Sequence, residues 1–377
     1  MKKRELPKKL KRIVVKIGTG VLTSGNYSLD QARIKELVAQ IAGLVKREVE
    51  VILVSSGAIG AGMGMLKLKF RPKLLPQQQA AAAIGQGQLM KIYDTAFKRH
   101  KLLTAQILLT REDLNNRTRY LNAKNTLFTL LCLNAIPIIN ENDTVSVDEI
   151  KFGDNDRLSA LVASLAHADL LIMLSDVDGL YTRAPKNRPR KIKQTVVSKV
   201  TKISPEIERM AGKVSAGIGR GGMASKIEAA RICAAAGIPC VIANGRIAGV
   251  LPKILAGGNI GTLFLPKTER LVAKKRWIGF SAKVSGQIVV DQGAKQALTL
   301  NKKSLLPKGI IKFSGSFTVG DIVSILDSDK HEFARGLTRY SSVELAKIKG
   351  LDSGQIKQTL GYKHCDEVVN RDNLVIL

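Results

Sequence analysis

Two lysines that lie beside glycine-rich sequence are the residues of this chain best suited to chemistry on phosphate groups. Lys16 lies in the run Val14–Gly20, and Lys226 closes the run Gly217–Lys226. Glycine lets backbone N–H groups approach a phosphate closely, and lysine adds a compact positive charge. A fold that brings the two lysines together would therefore hold a nucleoside triphosphate without a Walker motif.

Both glycine-rich segments also have ordinary explanations. Lys16, at the end of an otherwise buried strand, could be a surface lysine whose ammonium group reaches solvent at the edge of the sheet. Gly217–Gly222 matches the dinucleotide fingerprint G-x-G-x-x-G, but the charged, mixed sequence Pro205–Ser215 precedes it where the fingerprint needs a strand. Two alternatives then stay open for this segment: a loop that binds anions at a helix start, or a flexible linker.

Two acidic, amide-rich turns follow each other closely, Asn140–Asp143 and Gly153–Asp156. Such turns can orient a lysine, ligate Mg²⁺ or bind a substrate ammonium group. Each can equally be a simple turn or a helix cap, since Asp154 or Asn155 would cap a following helix well. A third turn, Ser55–Gly62, could hold a carboxylate through its N–H groups, although close packing of a helix on a strand would also require its glycines.

The elements that must position these turns alternate between strand and helix up to about Leu265. The apolar runs predict strands at Arg12–Ile17, Val49–Ser55, Thr104–Thr110, Ala135–Asn140, Leu170–Leu174 and Ile238–Ala243. The periodicity predicts helices at Leu29–Arg47 with Ser28 as cap, Gln77–Lys101, Arg119–Asn134, Asn155–Ala168 and Met223–Ala236. This order predicts a three-layer αβα sandwich around a mostly parallel sheet, with ligands at the carboxyl ends of the strands.

The chain divides further by composition. We expect a basic N-terminal extension (1–12), a main α/β domain (13–265), a charged linker (266–276) and a small β-rich domain (277–377). Within the main domain, Arg183–Arg220 is rich in Lys, Arg, Pro and Gly and predicts loops that flank the site, with a short helix near Pro205–Met210.

Composition excludes several classes of protein. The chain is 45% hydrophobic and 24% charged, so global disorder is excluded. The net charge of +29 is spread along both parts of the chain, which favours a basic surface over a dedicated nucleic-acid face. No signal peptide or membrane-spanning run is present, so we expect a cytoplasmic protein without a membrane partner. The four cysteines lack metal spacing, and no Ser/His/Asp arrangement supports a hydrolase.

Taken together and in order, six segments resemble the amino-acid kinase family, and more narrowly its branch that phosphorylates the side-chain carboxylate of glutamate. These segments are Val14–Thr19, Ser56–Ile59, Asn140–Asp143, Gly153–Asp156, Ser175–Tyr181 and Gly221–Lys226. The C-terminal run through Leu305–Ile310 and Gly320-Asp321 resembles a PUA domain, a small module frequent in RNA-modifying proteins.

The resemblance implies ATP-dependent phosphorylation of the γ-carboxylate of L-glutamate to L-glutamyl 5-phosphate, the first step of proline biosynthesis. ATP and Mg²⁺ are the implied cofactors, and no protein ligand of the metal is assigned. The implied catalytic residues are Lys16, Lys226 and Asp156, with Asp156 organising the two lysines. The implied glutamate-binding residues are Ser56, Asp143 and Asn155. The implied nucleotide-binding residues are Lys16, Ser175, Asp176, Arg220, Gly221, Gly222, Met223, Ala224, Ser225 and Lys226.

The chain departs from the family pattern at two loops. Arg220 stands where the family usually has threonine, which adds a cation beside the phosphates. Thr182–Pro185 replaces the more usual Thr-Ala-Asp-Pro, so the contacts of that loop stay open.

Other activities and partners stay as alternatives. Acetylglutamate kinase, aspartokinase and uridylate kinase share the expected fold, and the added β-rich domain counts against them. An RNA-binding or regulatory protein is an alternative of a different class, with RNA bound by the PUA-like domain. The resemblance also implies a homo-oligomer, a tetramer, and glutamyl phosphate reductase as a partner.

Overall fold

The computed structural model describes residues 4, 6–7, 10–23, 28–146, 154–182, 195–211, 222–266, 278–279, 284–363 and 365–377. Contacts between residues divide the chain into two compact units. The first unit comprises Met1–Asp113 and Arg119–Arg270, and the second comprises Leu114–Thr118 and Leu271–Leu377. None of the helices in the described ranges combines the length and the apolar character that crossing a bilayer requires.

An eight-stranded sheet forms the centre of the first unit. Its strands, in chain order, are β1 (Arg12–Ile17), β2 (Glu50–Ser55), β3 (Leu103–Leu109), β4 (Ala135–Glu141), β5 (Leu170–Ser175), β6 (Lys199–Val200), β7 (Cys240–Asn244) and β8 (Thr262–Phe264). Their order in space is β3-β4-β2-β1-β5-β7-β8-β6. All neighbouring strands are parallel except β7 and β8. The sheet is therefore mostly parallel, as predicted.

The helices of the first unit connect these strands. They are α1 (Thr19–Leu22), α2 (Gln31–Val45), α3 (Ala58–Met65), α4 (Leu75–Lys98), α5 (Arg111–Asn115), α6 (Arg117–Cys132), α7 (Asp154–Leu165), α8 (Pro205–Met210), α9 (Met223–Ala235) and α10 (Val250–Leu255). The short helix predicted near Pro205–Met210 is confirmed, and α8 has these bounds.

The two faces of β1 explain how the sequence makes layers. Side chains alternate between the faces of a strand. Ile13, Val15 and Ile17 pack on one face, in a core shared with α2, α4 and α10. Lys16 therefore points to the other face, where α7 packs on β1 and α9 packs on α7. Helices on both faces make the αβα sandwich that the sequence predicted.

The start of α2 differs from the prediction. Asp30 caps this helix, because its carboxylate accepts a hydrogen bond from the Arg33 N–H at 2.9 Å. Ser28 was predicted as the cap, but it lies two residues before Asp30, outside the N-cap position. Strand β8, which runs against the direction of its neighbour β7, was not predicted, since three residues carry too little periodicity.

The second unit has its own five-stranded sheet and its own core. Its strands are β9 (Val284–Val290), β10 (Ile310–Gly315), β11 (Ile322–Leu326), β12 (Glu332–Thr338) and β13 (Val369–Ile376), in the spatial order β10-β9-β11-β12-β13. Ile288, Ile325 and Tyr340 are fully buried in its core. Among the described residues of this unit, short helices that the alternating pattern did not predict accompany the sheet: α11 (Gln292–Thr299), α12 (Ser342–Ile348) and α13 (Ile356–Leu360).

Candidate active site

Asp156 lies between the two lysines. Its Oδ1 accepts a hydrogen bond from Lys16 Nζ at 2.5 Å, and its Oδ2 accepts one from Lys226 Nζ at 3.1 Å. Ser225 Oγ donates to the same Oδ2 at 2.7 Å. All three charged side chains are buried, with exposed fractions of 5% for Lys16, 3% for Lys226 and 0% for Asp156. Lys16 is therefore not the surface lysine that its place at a strand end also allowed.

Burial and the charges in this cluster shift the pKa values of Asp156 and Lys16. Burial alone would raise the pKa of Asp156, but the positive charges of Lys16 and Lys226 outweigh burial and lower this pKa to about 2. Removal from water lowers the pKa of Lys16; the charge of Asp156 opposes this effect and the charge of Lys226 adds to it. The carboxylate is ionised at neutral pH, and with both ammonium groups protonated the three side chains carry a net charge of +1. A buried site of this charge suits an anion.

Three separate elements bring these side chains together. Lys16 is on β1, Asp156 is in the first turn of α7 and Lys226 is in the first turn of α9. The chain leaves β1 beside the end of β5, because the Gly18 N–H donates to the Leu174 carbonyl at 2.9 Å. A Cβ on Gly18 would lie 3.2 Å from that oxygen and 3.5 Å from Lys16 Nζ. A Cβ at position 18 would therefore be tight against the Leu174 carbonyl oxygen and in ordinary van der Waals contact with the ammonium group.

A network of side-chain amides lies at the ends of β2 and β4. Asn155 Nδ2 donates to Ser56 Oγ at 3.2 Å and to Asn140 Oδ1 at 3.0 Å. The Glu141 N–H donates to Asn140 Oδ1 at 2.9 Å and to Asn155 Oδ1 at 3.3 Å. Asn140 Nδ2 in turn donates to Gln86 Oε1 at 2.9 Å. The network connects Ser56 and Asn155, two of the three residues predicted to bind glutamate.

Asp143, the third of these residues, lies in the turn that follows β4 and is half-buried. The preceding residue ties this turn to the sheet, because the Asn142 N–H donates to the Leu109 carbonyl at 2.9 Å. Asp143 and Asn140 therefore lie at the same edge of the sheet, as the order of the parallel strands predicted.

The glycines of the third turn serve two different needs. Gly57 has φ of 109°, a left-handed conformation that favours glycine, and it precedes α3. The Ser56 N–H donates to the Ile17 carbonyl at 3.1 Å, so this turn lies beside the end of β1. Gly62 is required for packing, because a Cβ there would lie 1.8 Å from the Ala81 carbonyl oxygen. That contact joins two helices, not a helix and a strand.

The predicted nucleotide-binding residues lie at the end of β5 and at the start of α9. Ser175 ends β5, and its hydroxyl donates to Asp176 Oδ1 at 3.1 Å. Gly222 is the N-cap of α9 and provides no side-chain cap, so the N–H groups of the first turn, Met223, Ala224, Ser225 and Lys226, face the helix N-terminus. Helix N-termini of this kind bind anions. Arg220, Gly221, Gly153 and Arg183–Pro185 lie outside the described residues.

Sequence reasoning missed two residues of the amide network. Asn140 was part of a recognised turn but was not assigned a role, although a buried amide at the end of an apolar strand is a usable signal. Gln86 lies on α4, far from every motif, and nothing in the sequence distinguishes it from the other glutamines of that helix.

Comparison with known proteins shows which family the chain belongs to. The model of the amino acid kinase family matches residues 11–244, and the model of the PUA domain matches residues 286–360. The chain therefore belongs to the amino acid kinase family, with a PUA domain in its C-terminal part.

Three relatives that match nearly the whole chain are glutamate 5-kinases. The glutamate 5-kinase of Thermoanaerobacter sp. (strain X514) is 51% identical over 366 residues, which cover 97% of this chain and 98% of the relative. That of Caldanaerobacter subterraneus subsp. tengcongensis is 53% identical over 366 residues, with the same coverage. That of Geobacter sp. (strain M21) is 49% identical over 375 residues and covers all of both chains.

Proposed function

We propose that this protein transfers the γ-phosphoryl group of ATP to the γ-carboxylate of L-glutamate and so forms L-glutamyl 5-phosphate, the first step of proline biosynthesis. The observation that carries the mechanism is the convergence of Lys16 and Lys226 on Asp156. Similarity to glutamate 5-kinases over nearly the whole chain supports the choice of acceptor.

The two lysines stabilise the charge that moves during transfer. A γ-carboxylate oxygen attacks the γ-phosphorus, the bond to the β-phosphate oxygen breaks, and ADP leaves. The phosphoryl oxygens and the leaving group carry negative charge, which a buried ammonium group stabilises more strongly than water does. Asp156 holds both ammonium groups in place and does not exchange a proton, because its pKa of about 2 keeps it ionised.

The acceptor needs no general base. The glutamate carboxylate is ionised at neutral pH and attacks directly. We assign Ser56, Asn155 and Asp143 to this substrate, since they lie at one edge of the sheet and offer a hydroxyl, an amide and a carboxylate. The carboxylate of Asp143 suits the ammonium group of an amino acid.

We assign the nucleotide to the end of β5 and the start of α9. The N–H groups of the first turn of α9 would face the phosphates, and Ser175 and Asp176 would lie beside them. Lys226, which closes the glycine-rich run, lies in the first turn of α9, and we assign it to the same site.

The carboxylate of Asp156, between the two lysines, is not suited to bind Mg²⁺. Both oxygens of Asp156 face ammonium or hydroxyl donors, so this carboxylate does not fit a metal ion. Among the described residues, the cluster with metal-binding spacing comprises Asp327, Asp329 and His331 of the second unit. We propose that Mg²⁺ would enter with ATP and would offset negative charge on its phosphates, and we assign no residue of this chain as its ligand.

A kinase assay with three acceptors tests the function. ADP release is measured with L-glutamate, N-acetylglutamate and L-aspartate at equal concentrations, with ATP and Mg²⁺. We expect turnover with glutamate far above the other two. The proposal would be contradicted if another acceptor were turned over faster than glutamate, or if none of the three were phosphorylated.

Assembly and partners stay predictions. A homo-oligomer, a tetramer, would appear in light scattering after gel filtration as a mass well above the 40.9 kDa of one chain. Co-elution with glutamyl phosphate reductase tests that partner. Binding of RNA by the PUA domain is tested by titration with structured RNA at rising salt, since phosphate contacts weaken with salt.

A further inference from the structure

We propose that Gln86 is a positioning residue of the site assigned to glutamate. It sets the orientation of the Asn140 amide and, through Asn140, that of Asn155. The inference rests on the proposed function, because it concerns the site assigned above to glutamate. Gln86 itself lies on α4 and is connected to this site by its hydrogen bond with Asn140.

The Asn140 amide is buried, with an exposed fraction of 2%, and each of its polar atoms has a partner of the right type. Its Oδ1 accepts from Asn155 Nδ2 and from the Glu141 N–H, and its Nδ2 donates to Gln86 Oε1. Rotation of this amide by half a turn would set its NH₂ group against two donors and its oxygen against the Gln86 oxygen. Polar groups left without a partner at a buried position are destabilising, so the observed orientation is strongly favoured. Gln86 Oε1 is the acceptor that holds the NH₂ group of Asn140 in place.

The orientation of Asn140 decides what Asn155 presents. Because Asn140 Oδ1 is an acceptor, it takes one hydrogen of Asn155 Nδ2, and the same NH₂ group points to Ser56 Oγ. Asn155 Oδ1 is held by the Glu141 N–H on the opposite side. Without the Gln86 acceptor, the Asn140 amide would lose one of the contacts that distinguish its two orientations, and the donor face of Asn155 would be less well defined.

Close packing between two helices fixes the place of Gln86. A Cβ on the preceding residue, Gly85, would lie 1.9 Å from the Ala58 carbonyl oxygen and 2.2 Å from the Gly62 nitrogen. The backbones of α3 and α4 therefore touch directly at Gly85. Since α3 starts just after the Ser56–Gly57 turn, this contact fixes Gln86 relative to the same turn that carries Ser56.

Steady-state kinetics of the full chain test this role. Gln86→Met keeps the side-chain length and removes the acceptor. We expect the KM for glutamate to rise about tenfold, the value of one hydrogen bond of about 1.4 kcal/mol, while the KM for ATP stays unchanged. Gln88→Met is the matched control, because residues two apart on a helix do not face the same way. Gln86→Ala serves if the methionine variant does not fold.

A double-mutant cycle separates positioning from a general loss of structure. Asn155→Ala also raises the KM for glutamate, and adding Gln86→Met to it should raise that KM by little more, because the residue through which Gln86 acts is already gone. Additive effects would overturn the inference, as would equal rises in both KM values or a normal KM for glutamate in Gln86→Met. These outcomes leave the proposed function intact, whereas a wild-type protein that does not phosphorylate glutamate overturns both.

Discussion

Asp156 shows how a single carboxylate can organise a site without taking part in proton transfer. It accepts hydrogen bonds from Lys16, Lys226 and Ser225 and is fully buried. A carboxylate removed from water in this way is stable only when opposite charges compensate it, and here two are present. The cluster keeps a net positive charge, so an anion completes its neutralisation.

Removal of either lysine should abolish most of the turnover. We expect Lys16→Ala and Lys226→Ala each to lower kcat about 10²–10³-fold, the usual effect of losing one electrostatic contact to the transition state. Lys91→Ala, at an exposed lysine of α4, is the control and should leave kcat unchanged. The measurement is ADP release at saturating glutamate, with circular dichroism to show that the variants fold. Near-normal turnover in either variant contradicts its assigned role.

The lowered pKa of Lys16 predicts an early alkaline limit of activity. Its ammonium form is lost as pH rises through a pKa below the ordinary lysine value, and transfer needs that form. The profile of kcat/KM for ATP, which reports groups of the free enzyme, should therefore fall at a pH below the ordinary lysine pKa.

Lys16→Arg provides the comparison for this profile. A guanidinium group stays protonated over the whole range, so this variant should lack the alkaline fall, whatever its absolute rate. The same alkaline fall in both proteins would show that another group causes it.

At the scale of elements, the site depends on where strands end and on how closely helices approach. The ends of β1, β2, β4 and β5 carry the turns, as expected for the ligand edge of a parallel sheet. The part of the site assigned to glutamate also depends on the helices α3 and α4, whose backbones touch at Gly62 and Gly85. Two glycines of α4 allow this contact to be tested.

Gly85→Ala and Gly87→Ala should have opposite effects on stability. The Cβ at position 85 would meet the Ala58 carbonyl at 1.9 Å, so the helices must separate, at a cost of about 1–3 kcal/mol. No atom of the described residues lies within 4 Å of the Cβ at position 87, so alanine there should stabilise the helix by up to about 1 kcal/mol. Urea denaturation measures both. Equal effects at the two positions would exclude the close helix contact.

At the scale of the whole molecule, the chain consists of two units with separate cores. The catalytic cluster lies in the first unit, and the second contains its own sheet and buried side chains. The net charge of +29 gives the molecule a field that attracts ATP and other anions. Separate cores suggest that the first unit can fold without the second.

A chain shortened after Arg270, where the first unit ends, should therefore keep glutamate phosphorylation at a rate of the same order. The residues assigned to catalysis, glutamate and ATP are all retained in it. Thermal unfolding and the three-acceptor assay on the shortened chain check this expectation. A shortened chain that is folded but inactive would place part of the catalytic apparatus in the second unit.

Much of the fold follows from local patterns. The strands β1 to β5 and the helices α2, α4 and α9 lie within a few residues of their predicted positions, because apolar runs and helical periodicity are properties of short segments. The cap of α2 was misplaced, since Ser28 and Asp30 are both good caps and only the backbone decides between them. The helices of the second unit were not predicted because they are short, and a short segment shows too little helical periodicity.

The sequence by itself determined which residues could do phosphate chemistry, and that they would lie at one edge of a parallel sheet. It did not determine their contacts. Lys16 and Lys226 lie 140 and 70 residues from Asp156 along the chain, and they meet it only because α7 packs on both β1 and α9. The bond from Asn140 to Gln86 likewise depends on how closely α4 approaches α3. Strand order and helix approach result from packing over long sequence separations, and only the tertiary structure decides them.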